Sequence, residues 1–254
     1  MPNSLLSDVW DEARAFLARE MGLLAPVALM TFGFGALLFI LQVPQPVNGR
    51  LPEGDWIWWV LPFALLNLLG AVAISMLAMR PGCSVGQALR ESVAILPRAI
   101  GTGLIIAAAG GIAMFVVLLV LTAAVGSAVA AAQQTVSIFS LIAVLFSARI
   151  ALSFPLLAEG RGAITSLTES WRRTAPVKWR LTLLLIAYSL VSGIILVLLQ
   201  LSIGSALILL GKLVGMQPIG MKMAQVVTTF AWALMQMGLL VYCALLARRL
   251  LAKA

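Results

Sequence analysis

One charged residue, Arg149, stands inside a predominantly apolar run, LFSARIALSFPLL, in which Ser147 and Ser153 are the other polar side chains. A guanidinium carries a planar fork of N–H donors that can grip a phosphate or a carboxylate through two parallel bonds. The same long side chain can instead snorkel to the membrane interface. Arg149 lies eight residues before Leu157, which at helical rise puts its Cα about 12 Å inside that point. Ser153, one turn later, offers only a neutral contact, and Glu159 is off the i,i+4 spacing that would pair them. Further along, Arg161, Arg172, Arg173, Lys178 and Arg180 form a basic segment with Glu159 at its edge and Glu169 inside it. Basic residues beside a membrane attract anionic lipid by about 1 kcal/mol each. They also set topology, and the sequence leaves both roles open. Arg149 and these five cations are the candidate lipid or partner contacts.

Other chemistry is missing at the level of residue types. The chain has no histidine, which removes Ser-His-Asp and Cys-His nucleophiles, histidine-ligated haem, histidine-containing zinc centres and histidine proton relays. Cys83 and Cys243 are far apart, with neither metal-ligand spacing nor a disulfide framework. No phosphate-binding loop or nucleophile elbow occurs. The expectation is a protein without cofactor or metal that is not an enzyme.

The elements that must position these residues follow from composition. Of 254 residues, 62% are hydrophobic and 10% charged, against about 25% charged in a soluble domain. The chain is therefore expected to be membrane-embedded and not to bind nucleic acid. A spanning helix needs roughly 20 apolar residues, and six segments qualify: Met21–Val43, Trp56–Met79, Ala99–Val125, Val136–Leu157, Leu181–Ile203 and Ala224–Ala247. None contains Asp or Glu, which argues against a proton symporter or pump. Facilitated diffusion or sodium coupling through backbone carbonyls stays open. The glycines at 101, 103, 110 and 111 suggest close helix packing, and Asn67, Gln200, Gln225 and Gln236 suggest polar contacts between helices. The fifth apolar run continues to Val214, which predicts strong tilt or a break near Gly204. The first residues carry three acids and no basic cluster, so they do not read as a cleaved signal peptide.

Cations divide unevenly between the two faces. Arg14, Arg19, Arg80, Arg90, Arg98, the five of the basic segment, Arg248, Arg249 and Lys253 make thirteen on one side; Arg50, Lys212 and Lys222 make three on the other. The positive-inside rule then places both termini in the cytoplasm, with Gly49 and Gly215 outside. Trp56, Trp58 and Trp59 are expected to anchor the outer interface, and Trp171 and Trp179 the inner one.

A short amphipathic segment precedes each pair of spans. The first aligns Leu6, Val9, Ala13, Phe16 and Leu17; the second Val85, Leu89, Val93 and Leu96; the third Ile164, Leu167 and Trp171. At an offset of 78 residues Leu89, Glu91 and Ser92 fall on Leu167, Glu169 and Ser170, while Pro97 and Pro176 differ by one position. The expected architecture is all-α, with six spans in three interfacial-helix-plus-hairpin units at about 1–79, 80–157 and 158–254 of one membrane domain. The amphipathic helices should lie in the interface, apolar face toward the acyl chains, before a proline turns the chain into the bilayer.

The stretches RPGCSVGQALRESVAILPR and ARIALSFPLLAEGRGAITSLTESWRRTAPVKWRL, through Arg149, Pro155–Leu157 and Ser170–Arg172, resemble the membrane domain of some glycerophosphoryl diester phosphodiesterases and YciC-type inner-membrane proteins. The similarity covers roughly residues 80–186. It implies a six-helix inner-membrane module; the phosphodiesterase activity of such proteins belongs to a separate soluble barrel, for which this chain has no room. The expected role is a non-catalytic scaffold, assembly or accessory component. It would pack against membrane lipid, including anionic lipid, and against another membrane protein or itself. The alternative is a transporter or flippase-like carrier of a lipid or small solute.

Overall fold

The computed structural model describes residues 3–42, 54–125 and 142–252, and all regular structure among them is helical. The positions expected for Val43, Gly49, Arg50, Val136 and Lys253, and the side chain of Trp56, lie outside the described residues. Helix α1 (Asn3–Ala28) continues through a π turn (Leu29–Gly33) into α2 (Phe34–Gln42). A 3-10 turn (Asp55–Trp59) opens α3 (Val60–Met79), and α4 (Val85–Val125) follows. Then come α5 (142–150), α6 (Ser153–Ala158), the amphipathic α7 (Ala163–Thr174), α8 (Lys178–Leu199), α9 (Ser205–Leu213) and α10 (Gln217–Ala252). Five continuous helical stretches are long and apolar enough to cross a membrane, and α5 with α6 supplies a shorter apolar sixth.

Helix α4 has 41 residues, so it is about 61 Å long, twice the hydrocarbon thickness of about 30 Å. The amphipathic segment is thus the first third of the spanning helix and not a separate element. Pro97 lies inside α4 without ending it, so it does not turn the chain as expected; Pro26 likewise lies inside α1. Only the third copy, α7, is a helix of its own. Its faces are distributed for lipid: Ser166, Glu169, Ser170 and Thr174 are buried against the protein, while Ile164 and Trp171 point away. In the first copy Leu5, Val9 and Ala13 are buried instead, because α1 packs along α10. The break expected near Gly204 is a π turn at Gln200–Gly204, through which helix continues to Leu213.

Packing is concentrated toward the end that carries the termini. All ten residues from Gly70 to Met79 on α3 are buried, enclosed by Leu24, Val27 and Ala28 of α1, Leu156 and Leu157 of α6, and Val241–Ala247 of α10. Helix α3 is apolar all round, as a helix with no solvated face must be. At Gly70 the π turn passes so close that a Cβ would lie 2.7 Å from Thr31 Cβ; only a residue without a side chain fits this crossing. Gly211 and Gly220 do the same between α9 and α10, where a Cβ on Gly220 would meet Gly211 Cα at 3.2 Å. Elsewhere the helices diverge. Residues of α4 and α8 such as Leu104, Ile112, Val120, Leu190, Val197 and Leu198 are exposed to the surroundings.

Candidate functional site

The apolar run that contains Arg149 does not form one helix. Pro155 has no N–H to give Ala151, and its ring collides with the carbonyl four residues back, so the helix breaks at residues 151–152 and restarts as α6. Two backbone groups beside the break are met by one side chain of α7. The Ser170 hydroxyl donates to the Arg149 carbonyl at 2.6 Å and accepts from Leu152 N–H at 3.3 Å. Leu152 and Ser170 are fully buried, so both backbone groups need such a partner.

The same α7 turn receives the Arg149 side chain. Its guanidinium donates to the Trp171 carbonyl at 3.1 Å and lies 4.8 Å from the centroid of the Trp171 ring, which packs on Phe146 at 5.6 Å. Arg149 is therefore drawn to the level of an interfacial helix, and no acid is paired with it among the described residues. Ser153, its neutral neighbour in sequence, is turned inward with its hydroxyl buried and unpartnered. Beside the Trp171 ring an apolar slot of about 700 Å³ opens between α4 and α5. Gly111 lines it, and a Cβ there would touch nothing within 4 Å, so the close packing expected of this glycine is absent among the described residues. Gly101 and Gly103 do lie within 3.7 Å of Ala163 and Leu68 side-chain atoms. Arg149, Pro155, Ser170 and Trp171, all within the motif segments of the sequence, thus converge on one junction.

The basic segment is divided in two by the fold. Arg161 and Arg173 are ion-paired with Glu169, the latter at 2.6 Å, and Arg173 also donates to the Leu250 carbonyl at 2.8 Å near the end of α10. Arg172 and Arg180 are exposed with no partner among the described residues, and Lys178 is exposed with its ammonium 5.6 Å from the Trp179 ring. Trp58 and Trp179 are exposed, as interfacial anchors would be, whereas Trp59 is half-buried and Trp171 is engaged by Arg149.

Sequence reasoning missed what the glutamates do. Each amphipathic segment carries one, and each binds arginine from the end of the hairpin before it. Glu91 binds Arg80, which leaves α3, at 2.5 Å; Glu169 binds Arg161, which leaves α6; Glu12 binds Arg248 and Arg249 at the end of α10. The third link joins the last helix to the first, so the circuit closes in chain order and holds both terminal helices at one end of the bundle. Arg80 and Arg98 also donate to the Ala158 and Gly160 carbonyls, at 2.8 and 2.9 Å, satisfying the exit of α6. The signal was present in the 78-residue offset that superposes Glu91 on Glu169.

The Gln87 amide first, and then Arg80, hold the Glu91 carboxyl below its ordinary value of 4.5. A depressed carboxyl contributes stability that is complete above that ordinary value and lost as pH falls through the depressed one. Melting temperature in detergent should therefore fall on acidification below pH 4.5, and Glu91→Gln should remove that part of the fall. Superimposable pH profiles of the two proteins would refute it.

A larger cavity of about 960 Å³ lies among α3, α4, α5, α8 and α10. Its polar lining is Asn67, Ser147, Ser189 and Gln236, and of these Asn67 and Ser147 already donate to their own helices, at Phe63 O and Val144 O. Among the four amides expected to join helices, Gln200 does so, accepting from Thr228 at 2.8 Å. Among the described residues no three Cys, Asp or Glu side chains gather as a metal site. Set against family models, curated proteins and solved structures, the chain matches none of them.

Proposed function

We propose that this multi-pass membrane protein is a non-catalytic scaffold, assembly or accessory component whose open side meets lipid and a partner in a bacterial inner membrane. The observation that carries this reading is the contrast within the fold. One end is locked by buried apolar packing and arginine–glutamate links, while α4 and α8 leave long apolar faces uncovered. Such faces, next to an intramembrane cavity lined without a charged side chain, suit lipid or another helix better than a hydrated solute. The resemblance to the membrane domain of such phosphodiesterases, as distinct from their catalytic barrel, supports the same reading. The thirteen-to-three division of cations supports cytoplasmic termini.

A second reading, a carrier of a lipid or other apolar molecule, is favoured by the size of the cavity among the five helices. Purification in mild detergent, with identification of co-purifying polypeptides, tests the first reading; reconstitution in vesicles with labelled phospholipid tests the second. A stoichiometric membrane partner with no lipid movement is the expected result. Rapid lipid movement between leaflets without any partner would replace the first reading by the second. A reporter fused after Ala252 and another at Gly215 should lie on opposite sides of the membrane, and a shared side would overturn the topology.

A further inference from the structure

The slot between α4 and α5 and the arginine beside it make one amphiphilic site. Its walls, Ile105, Gly111, Met114, Ile142 and Phe146 among them, are apolar, and it reaches the Trp171 ring on which Arg149 is stacked. Among the described residues, only one of its five guanidinium donors is matched to a protein acceptor, the Trp171 carbonyl. Other arginines at this end, Arg80, Arg161, Arg173, Arg248 and Arg249, are neutralised by glutamate, whereas Arg149 is half-buried and has no acid partner among the described residues. Arg172, next to Trp171, adds a second cation, exposed and unpaired among the described residues.

From this charge imbalance at the mouth of an apolar slot, we infer that the site binds a membrane glycerophospholipid with a net negative headgroup. One acyl chain fills the α4–α5 slot and the phosphate takes the free fork of Arg149. An unpaired guanidinium in a span is costly, and a phosphate supplies the anion the fold withholds. A headgroup carrying its own ammonium would bring a positive charge against Arg149 and Arg172, so phosphatidylglycerol is preferred over phosphatidylethanolamine. The slot is shaped for a chain because small residues of α4 leave it open: the space over Gly111 is where a Cβ would meet nothing. The inference builds on the reading that this surface meets lipid, and gives that contact a place and a headgroup.

The test uses the full chain in nanodiscs of equal phosphatidylglycerol and phosphatidylethanolamine, followed by release into detergent and native mass spectrometry. Wild type should retain phosphatidylglycerol selectively. Arg149→Lys, which keeps the charge but not the fork, should lose about tenfold of that retention, the scale of one charge-assisted bond. Gly111→Leu should lose it too, although Arg149 is untouched and a helical glycine is being replaced by a better helix former. Melting temperatures of both variants should stay at the wild-type value. Equal retention in all three proteins, equal binding of the two lipids, or a polypeptide displaced by Gly111→Leu in place of lipid would overturn the site. Selective phosphatidylglycerol retention in a protein that co-purifies with no partner polypeptide would leave the site standing and count only against the accessory reading.

Discussion

Ser170→Ala is expected to destabilise the protein by about 2–4 kcal/mol, a large effect for the loss of one hydroxyl. The hydroxyl serves two backbone groups, Arg149 C=O and Leu152 N–H, and leaving a buried polar group unpaired costs about 1–3 kcal/mol. No other donor or acceptor is assigned to Leu152 N–H among the described residues, and the residue has no exposure through which water could substitute. Thermal or denaturant unfolding in a fixed detergent would measure the loss, and a change under 0.5 kcal/mol, the usual scale of a surface substitution, would show that the break is satisfied some other way.

The cause assigned to the break makes a sharper version of this test. If Pro155 interrupts the helix and Ser170 repairs it, Pro155→Ala lets the ladder run on and supplies the missing N–H. Ser170→Ala should then cost much less in the Pro155→Ala background than in wild type. Pro155 is itself buried, so Pro155→Ala carries a packing cost of its own, but the cycle subtracts it. Coupling of about 1 kcal/mol or more is expected between these residues, and additivity would separate Ser170 from the proline.

The spans were legible because hydrocarbon leaves few choices: an apolar run of this length must be helical, and the excess length of the fifth run marked the place near Gly204 where the structure has a π turn and not a break. How those helices continue was not. Pro97 was expected to turn the chain after its amphipathic segment, yet α4 runs straight through it, as α1 runs through Pro26. Proline is tolerated there because neighbouring side chains and local adjustment satisfy what it frees, and no local pattern reports neighbours. Pro155 does break its helix, and the difference lies twelve or more residues away in chain, at Ser170. The junction around Arg149 was half legible: residue types announced a cation out of place, but the stacking on Trp171 depends on the break turning α5 toward α7. The glutamates were overlooked for the opposite reason. They read as ordinary solvated members of amphipathic segments, and only tertiary packing sets each against an arginine of another hairpin.

These three links should differ greatly in energy, and burial decides the order. Glu169 is 8% exposed and joins Arg161, a third exposed, to Arg173, 15% exposed. Removing one partner of a buried ion pair costs about 3–5 kcal/mol because the remaining charge is left in low dielectric. Glu169→Gln strands two guanidiniums, of which Arg161, a third exposed, can still reach water and Glu159, so about 3 kcal/mol is expected. Glu12 is 25% exposed and its partners Arg248 and Arg249 are 39% and 36% exposed, so Glu12→Gln should cost only about 1 kcal/mol. Salt separates them further, since screening at 1 M shortens the Debye length to about 3 Å and weakens exposed pairs first. The cost of Glu12→Gln should shrink in high salt while that of Glu169→Gln persists. Because Arg173 also holds the Leu250 carbonyl, loss of Glu169 should loosen the contact of α7 with α10 as well, and proteolysis near residues 248–252 would report it. Equal costs for the two glutamates, or a Glu169→Gln cost abolished by salt, would mean that burial does not rank these links.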